Sequence, residues 1–183
     1  MSDAQTNDDL HIVDDLNPSA DADERTAHRP WKILIVDDDA EVHDATVFAL
    51  QDIAIDGHPL LFLHAYTASQ ALSTIEADDD VAVVILDVVM EHESAGLDIV
   101  RRIRTELGRT ALRIILRTGQ PGYAPEMRVI REYDINDYKT KSELTRVRLL
   151  TTLTTAVRSY DQLRTIMAAR LGLSQIVDTA AGM

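Results

Sequence analysis

Four aspartates stand where their side chains could do chemistry together. Asp37, Asp38 and Asp39 follow the apolar run Ile33 to Val36 without a spacer, and Asp87 follows the third such run, Val81 to Leu86. Carboxylates brought within a few Å repel one another, so they either raise one another's pKa or recruit a cation. A hard, oxygen-rich set of this kind suits Mg²⁺, which keeps several waters and accepts one or two protein carboxylates. An aspartate ahead of a helix can instead cap its free amides, and Asp39 fits that role. Three in a row exceed what a cap needs. Asp87, followed by apolar Val88, Val89 and Met90, has no helix to cap nearby. The expectation is a magnesium site made by Asp37, Asp38 and Asp87.

Two more groups belong with them. Thr118, followed by Gly119, ends a fourth apolar run, and Lys141 comes after a fifth. A hydroxyl and an ammonium at the same edge suit a phosphoryl group, whose oxygens the metal and Lys141 would neutralise while Thr118 donates a hydrogen bond. One carboxylate can then act as nucleophile and form an aspartyl phosphate.

Such convergence needs elements that carry the residues to one place. The apolar runs are Ile33 to Val36, Leu60 to Ala65, Val81 to Leu86, Leu112 to Leu116 and a weaker Ile135 to Tyr138. Between them Ala40 to Leu50, Ser69 to Glu76, Gly96 to Leu107 and Ala124 to Tyr133 have apolar residues at helical spacing. In the third, Leu97, Val100, Ile103 and Leu107 make the stripe, and Asp98, Arg101, Arg102 and Arg104 take the other faces. Five strands alternating with helices, the central one apolar throughout, predict an α/β fold with a five-stranded parallel sheet covered on both faces. Its strands then end on one edge, where open α/β sheets bind ligands.

The flanks differ from this middle. Residues 1 to 30 hold 8 acids against 2 bases and few large apolar groups, which predicts a disordered acidic leader, or a short helix around Asp9 to Leu16 that docks. From Glu143 to about Ala169 there is no Pro or Gly, and Leu144, Val147, Leu150, Leu153, Val157, Tyr160, Leu163 and Met167 recur at helical spacing. That is about seven turns, more than one sheet needs, so the helix is expected to run beyond the domain and offer a seam to a partner helix, or else to fold back on its own domain. Gly172 is expected to interrupt it. The chain ends at Met183 in small and apolar residues without a helix stop, and so reads as a fragment of something longer.

Composition sets the outer bounds. With no cysteine, disulfides, Cys-based zinc sites and thiol nucleophiles are excluded. A net charge of −13 argues against nucleic acid or an anionic membrane as partner, and no apolar run approaches the roughly 20 residues of a span. The expectation is a soluble, cytoplasmic protein with no nucleic-acid or membrane partner. The five arginines between Arg146 and Arg170 read as a solvated helix face.

With these residues in place, the stretch from about Trp31 to Arg158 resembles the receiver domain of two-component response regulators, which has a doubly wound, flavodoxin-like (βα)5 fold. The matching residues are Asp37 and Asp38 after Ile33-Leu34-Ile35-Val36, Asp87 in Ile85-Leu86-Asp87-Val88-Val89-Met90, Thr118 after Ile114-Ile115-Leu116-Arg117, and Lys141 after Asn136-Asp137-Tyr138-Lys139-Thr140. The resemblance implies that Asp87 accepts a phosphoryl group from the phosphohistidine of a histidine kinase or phosphotransfer protein. It implies that Asp38 and Asp87 coordinate Mg²⁺ directly, Asp37 mainly through water, and Val89 through its backbone carbonyl. Thr118 and Lys141 would bind the phosphoryl oxygens, and Tyr138 would be the aromatic switch that follows Thr118. The output would be a repacking of the helix Ala124 to Tyr133, the strand after it and the last helix. A homodimer would form through that face or through the C-terminal helix. Residues 1 to 30 would be leader, 31 to 158 receiver, and 159 to 183 a helical linker toward an output domain; any enzyme activity beyond self-phosphorylation and slow autodephosphorylation would lie in that domain.

Glu91 and Ser142 depart from the pattern, since receivers usually carry proline at both places. The first makes the loop Glu91 to Ala95 more acidic, and the second removes the cis-proline constraint on Lys141. The segments Leu116 to Gly122 and Tyr133 to Lys139 resemble a receiver subgroup that precedes cyclic-di-GMP turnover or kinase modules. Two other readings stay open. A haloacid-dehalogenase-like phosphatase would use Asp37 of the Asp37-x-Asp39 spacing as nucleophile, although Glu41 stands where that motif wants Thr or Val. A pseudo-receiver would bind without phosphate turnover. His11, His28, His43, His58, His64 and His92 show no metal spacing and read as surface or loop residues.

Overall fold

Alternation along the strands decides which face each residue takes, and the two faces are filled by different helices. The structure, a computed structural model, describes residues 29–90, 94–119, 130–131, 133–140 and 145–181. Its elements are β1 (Trp31–Val36), α1 (Ala40–Leu50), β2 (Ala54–Ile55), β3 (His58–Ala65), α2 (Ala68–Ala77), β4 (Val81–Asp87), α3 (Ala95–Thr105), β5 (Arg113–Thr118), β6 (Asp137–Thr140) and α4 (Arg146–Ala181). The sheet order is β2-β3-β1-β4-β5-β6. Strands β3, β1, β4, β5 and β6 are parallel neighbours, the doubly wound order in which the chain reverses direction of winding beside β1.

In β1, Leu34 and Val36 join a core with Ala71, Leu72 and Ile75 of α2 and Ile99, Val100 and Ile103 of α3. Ile33 packs instead with Leu50 of α1 and Leu149, Leu153, Val157 and Tyr160 of α4. The central strand β4 is buried at every position, as its unbroken apolar sequence predicts.

The sheet has six strands where five were expected. The extra one, β2, is two residues long and pairs antiparallel with the start of β3. Asp56 and Gly57 connect them with φ of 51° and 83°, the left-handed pair that a two-residue hairpin requires. Trp31 Nε1 donates to the Ile55 carbonyl at 3.1 Å, and Arg158 of α4 grips the Asp56 carboxylate with two bonds of 2.7 and 3.0 Å. The hairpin therefore closes the sheet edge near the start of β1.

Helix α1 has the expected bounds, but the last strand lies at Asp137–Thr140, later than the apolar run from Ile135. Ile135 itself is buried just ahead of it. Arg104, expected in solvent, turns back instead. Its guanidinium donates to the carbonyls of Arg109, Leu112, Tyr133 and Asp134, joining the end of α3 to the entries of β5 and β6. Burial, with repulsion from Arg113, lowers its pKa to about 10, which leaves it cationic at neutral pH.

Helix α4 runs 36 residues without a break, and Gly172 does not interrupt it. One glycine costs a helix only about 1 kcal/mol, too little to stop it. After Tyr160 it leaves the core, with Ile166, Leu171 and Leu173 62%, 67% and 65% exposed. No helix among the described residues is long and apolar enough to cross a membrane. The expected leader up to residue 28, most of the helix Ala124 to Tyr133, and Lys141, Ser142, Glu91 and His92 lie outside the described residues.

Candidate functional site

The C-terminal ends of β1, β4 and β5 meet on one edge because the three strands are parallel neighbours. Val36 stands opposite Leu86, and Asp87 opposite Arg117, so the residues that follow β1 come up beside Asp87. The Asp37 amide donates to the Ala65 carbonyl at 3.2 Å, which fixes the start of the β1 to α1 loop against the end of β3. Asp39 is the N-cap of α1, its side chain accepting from the Glu41 amide at 2.9 Å. That leaves Asp37 and Asp38 for the site.

Asp37, Asp38 and Asp87 each bring a carboxylate oxygen within 4.8 Å of the others. Asp37 and Asp87 are 0% and 3% exposed, while Asp38 faces solvent. Asp37 Oδ1 accepts from the Asp39 amide at 3.1 Å, and Asp87 Oδ1 accepts from the Val89 amide at 3.3 Å. Val89 is therefore folded back over the carboxylate that precedes it. Hard oxygens from three residues, two of them withdrawn from water, match the donor chemistry of a small divalent cation.

The loop that carries Asp87 onward is held from two sides. The Val88 amide donates to the Arg117 carbonyl, and the Gly96 amide donates to the Val88 carbonyl, both at 3.0 Å. Gly96 must be a glycine here, because a Cβ on it would lie 2.2 Å from the Asp87 carbonyl oxygen. Thr118 is fully buried at the end of β5, opposite Thr140 of β6. Tyr138 lies on β6 opposite Leu116 and packs against the core on the α2 and α3 side. Lys141 falls outside the described residues.

Two residues beside the cluster were not singled out from the sequence. Arg117 sends Nη2 to Asp37 Oδ2 at 2.9 Å and Nη1 to Thr46 Oγ1 of α1 at 3.0 Å, with its side chain 6% exposed. His43, expected at the surface, is buried, and its Nε2 lies 2.8 Å from the Asp37 carbonyl. A carbonyl only accepts, so Nε2 carries a proton, and Nδ1 lies 2.9 Å from His64 Nδ1. Burial first, and the neighbouring His43 second, lower the His64 pKa from its usual 6.5. Tyr66 stacks on His43 with ring centroids 4.3 Å apart.

Several solved structures with this architecture are receiver domains. A response regulator receiver protein from Pseudomonas putida is 28% identical, with a TM-score of 0.57 over 69% of this chain and 97% of that one. The chain carries a response regulator receiver domain. The signal receiver domain of an HD domain-containing protein from Pseudomonas fluorescens Pf-5 shares the receiver fold, with a TM-score of 0.61 and 23% identity over 75% of this chain and 93% of that one. Among curated proteins, this receiver is 43% identical over 157 residues to 3′3′-cGAMP-specific phosphodiesterase 2 of Vibrio cholerae. That match takes in 86% of the chain but 30% of the relative, so the chain spans less than a third of that protein. Residues 153–183, a stretch that takes in α4 from Leu153 to Ala181, match the family described as a domain of unknown function, DUF3369.

Proposed function

We propose that this receiver accepts a phosphoryl group on Asp87 from the phosphohistidine of a histidine kinase or phosphotransfer protein. The observation that carries the reading is the meeting of Asp37, Asp38 and Asp87 at the strand ends. Asp38 and Asp87, with the Val89 carbonyl, would hold Mg²⁺, and Asp37 would support it through water. When bound, the cation offsets negative charge on the incoming phosphoryl oxygens. A carboxylate oxygen of Asp87 attacks phosphorus, the bond from phosphorus to the donor imidazole breaks, and that imidazole leaves as the neutral base after taking up a proton. Thr118 and Lys141 bind the phosphoryl oxygens, and Tyr138 follows Thr118 as the switch.

Residues 31 to 158 make up the receiver in this reading, residues 1 to 30 an acidic leader, and residues 159 to 183 the helical route to an output module of a longer cytoplasmic protein. The identity to a 3′3′-cGAMP-specific phosphodiesterase supports cyclic-dinucleotide turnover as that module's activity. Two copies pair through the exposed apolar side of α4 or through the face around β6.

Labelling with acetyl phosphate in the presence of Mg²⁺ tests the reading. The label is expected on the unaltered chain and absent from Asp87→Asn. A label that survives in Asp87→Asn and is lost in Asp37→Asn would transfer the nucleophile to Asp37, as in a haloacid-dehalogenase-like phosphatase. Failure to bind Mg²⁺ at millimolar concentration would favour a pseudo-receiver.

A further inference from the structure

We infer that Arg117 is a built-in counter-cation of the acidic cluster, a positioning residue that lowers its affinity for a divalent metal by holding the charge of Asp37. The inference rests on the reading of that cluster as a metal site. Arg117 stands beside Thr118 in the stretch that resembles receivers but has no site role in that resemblance, and it enters the site from the face of β5 opposite Thr118.

The geometry is that of a fixed charge. The guanidinium is pinned by two oxygens from different elements, Asp37 Oδ2 after β1 and Thr46 Oγ1 in α1. Thr46 Oγ1 spends its own proton on the Val42 carbonyl at 2.7 Å, so it can only accept from Arg117. A lysine could not span the two partners with one planar fork. The backbone of the same residue accepts the Val88 amide, so Arg117 is tied to both loops that carry the carboxylates.

Packing does not account for it. Its Nε has no hydrogen-bond partner among the described residues although it is buried, and an apolar side chain of similar volume would avoid that cost. Its charge gives a reason for its presence. Three carboxylates within 4.8 Å repel unless compensated, and Arg117 removes most of one charge from the sum before any metal arrives. With Asp37 Oδ1 on the Asp39 amide and Oδ2 on Arg117, Asp37 is kept as a second-rank ligand behind Asp38 and Asp87. The metal then meets a site of moderate charge that it can enter and leave.

Mg²⁺ binding measured by calorimetry, with Mn²⁺ binding by electron paramagnetic resonance, tests this on the 183-residue chain. Arg117→Met is expected to bind Mg²⁺ about tenfold more tightly, because a cation within one or two contacts of the metal has been removed. Since that variant leaves the Asp37 carboxylate buried without its cation and can fail to fold, Asp37→Asn and Asp37→Asn/Arg117→Met form a second comparison, the double variant being neutral and nearly isosteric. The double variant is expected to bind more tightly than Asp37→Asn. Equal or weaker binding in the folded Arg117→Met chain, or equal binding in the second pair, would overturn the inference and leave Arg117 a packing residue. No Mg²⁺ binding by the unaltered chain would instead sink the metal reading, and this inference with it.

Discussion

Gly96 touches the backbone of Asp87: a methyl group on the first turn of α3 would lie 2.2 Å from the Asp87 carbonyl oxygen and 2.8 Å from the Val88 Cα. Both partners are backbone, so neither can rotate away. Gly96→Ala is expected to destabilise the chain by about 1–3 kcal/mol, the usual range for overpacking, and to push the Asp87 loop outward. Gly172→Ala is the matched control, because a Cβ there meets nothing and the helix gains about 1 kcal/mol. Urea unfolding of both variants checks the opposite signs.

Arg104 closes four carbonyls from two segments, and its loss leaves them without that donor. Arg104→Met is expected to lower stability by on the order of 3 kcal/mol, and Arg104→Lys to recover less than half of it, since one ammonium cannot replace the fork. Hydrogen exchange should locate the damage in the turns at Arg109 to Leu112 and Tyr133 to Asp134, while β1 and β4 keep their protection.

The His64 pKa is lowered on folding, so the unfolded chain binds its proton more readily. Stability from this residue is therefore complete above its ordinary value of 6.5 and declines as the pH falls through 6.5 toward the lower folded value. Melting temperatures followed from about pH 7.5 to 5 are expected to fall more steeply for the unaltered chain than for His64→Leu. Parallel curves would show that the His43 to His64 contact holds no proton-linked stability.

The far half of α4 exposes Ile166, Leu171 and Leu173, and pairing of two copies through that side predicts a concentration-dependent dimer. Leu171→Glu combined with Leu173→Glu is expected to abolish it in sedimentation experiments. The melting transition of the sheet should not move, because these residues make no part of either core.

What could be read in the sequence followed from local signals. Apolar runs located β1, β3, β4 and β5, since a strand buried on both faces has little freedom in composition. The acidic cluster was legible for the same reason: once the strands are parallel, residues at their ends have to share an edge. The β2 to β3 hairpin was legible too, and was missed, because Asp56-Gly57 is the strongest short hairpin signal and stands between only short apolar runs. Arg117, Arg104 and His43 were not legible. Arg104 and His43 lie on helices that also expose polar residues, and Arg117 sits in a strand buried at every position. What draws each inward is an oxygen distant in sequence, such as Asp37 Oδ2 for Arg117, whose position depends on strand order and register. Gly172 misled because a weak local preference was weighed alone, whereas the cooperativity of a long helix outweighs it.

Because α4 passes from the core into solvent with no joint at Gly172, it behaves as a shaft whose two ends keep a fixed angular phase. Each residue turns it by about 100° and lengthens it by about 1.5 Å. One residue inserted between Tyr160 and Gly172 would swing everything downstream to another side of the axis, while seven would bring it back nearly into alignment. Transmission along this helix should therefore rise and fall with insertion length, with a period of about 3.6 residues, and distance alone should matter little.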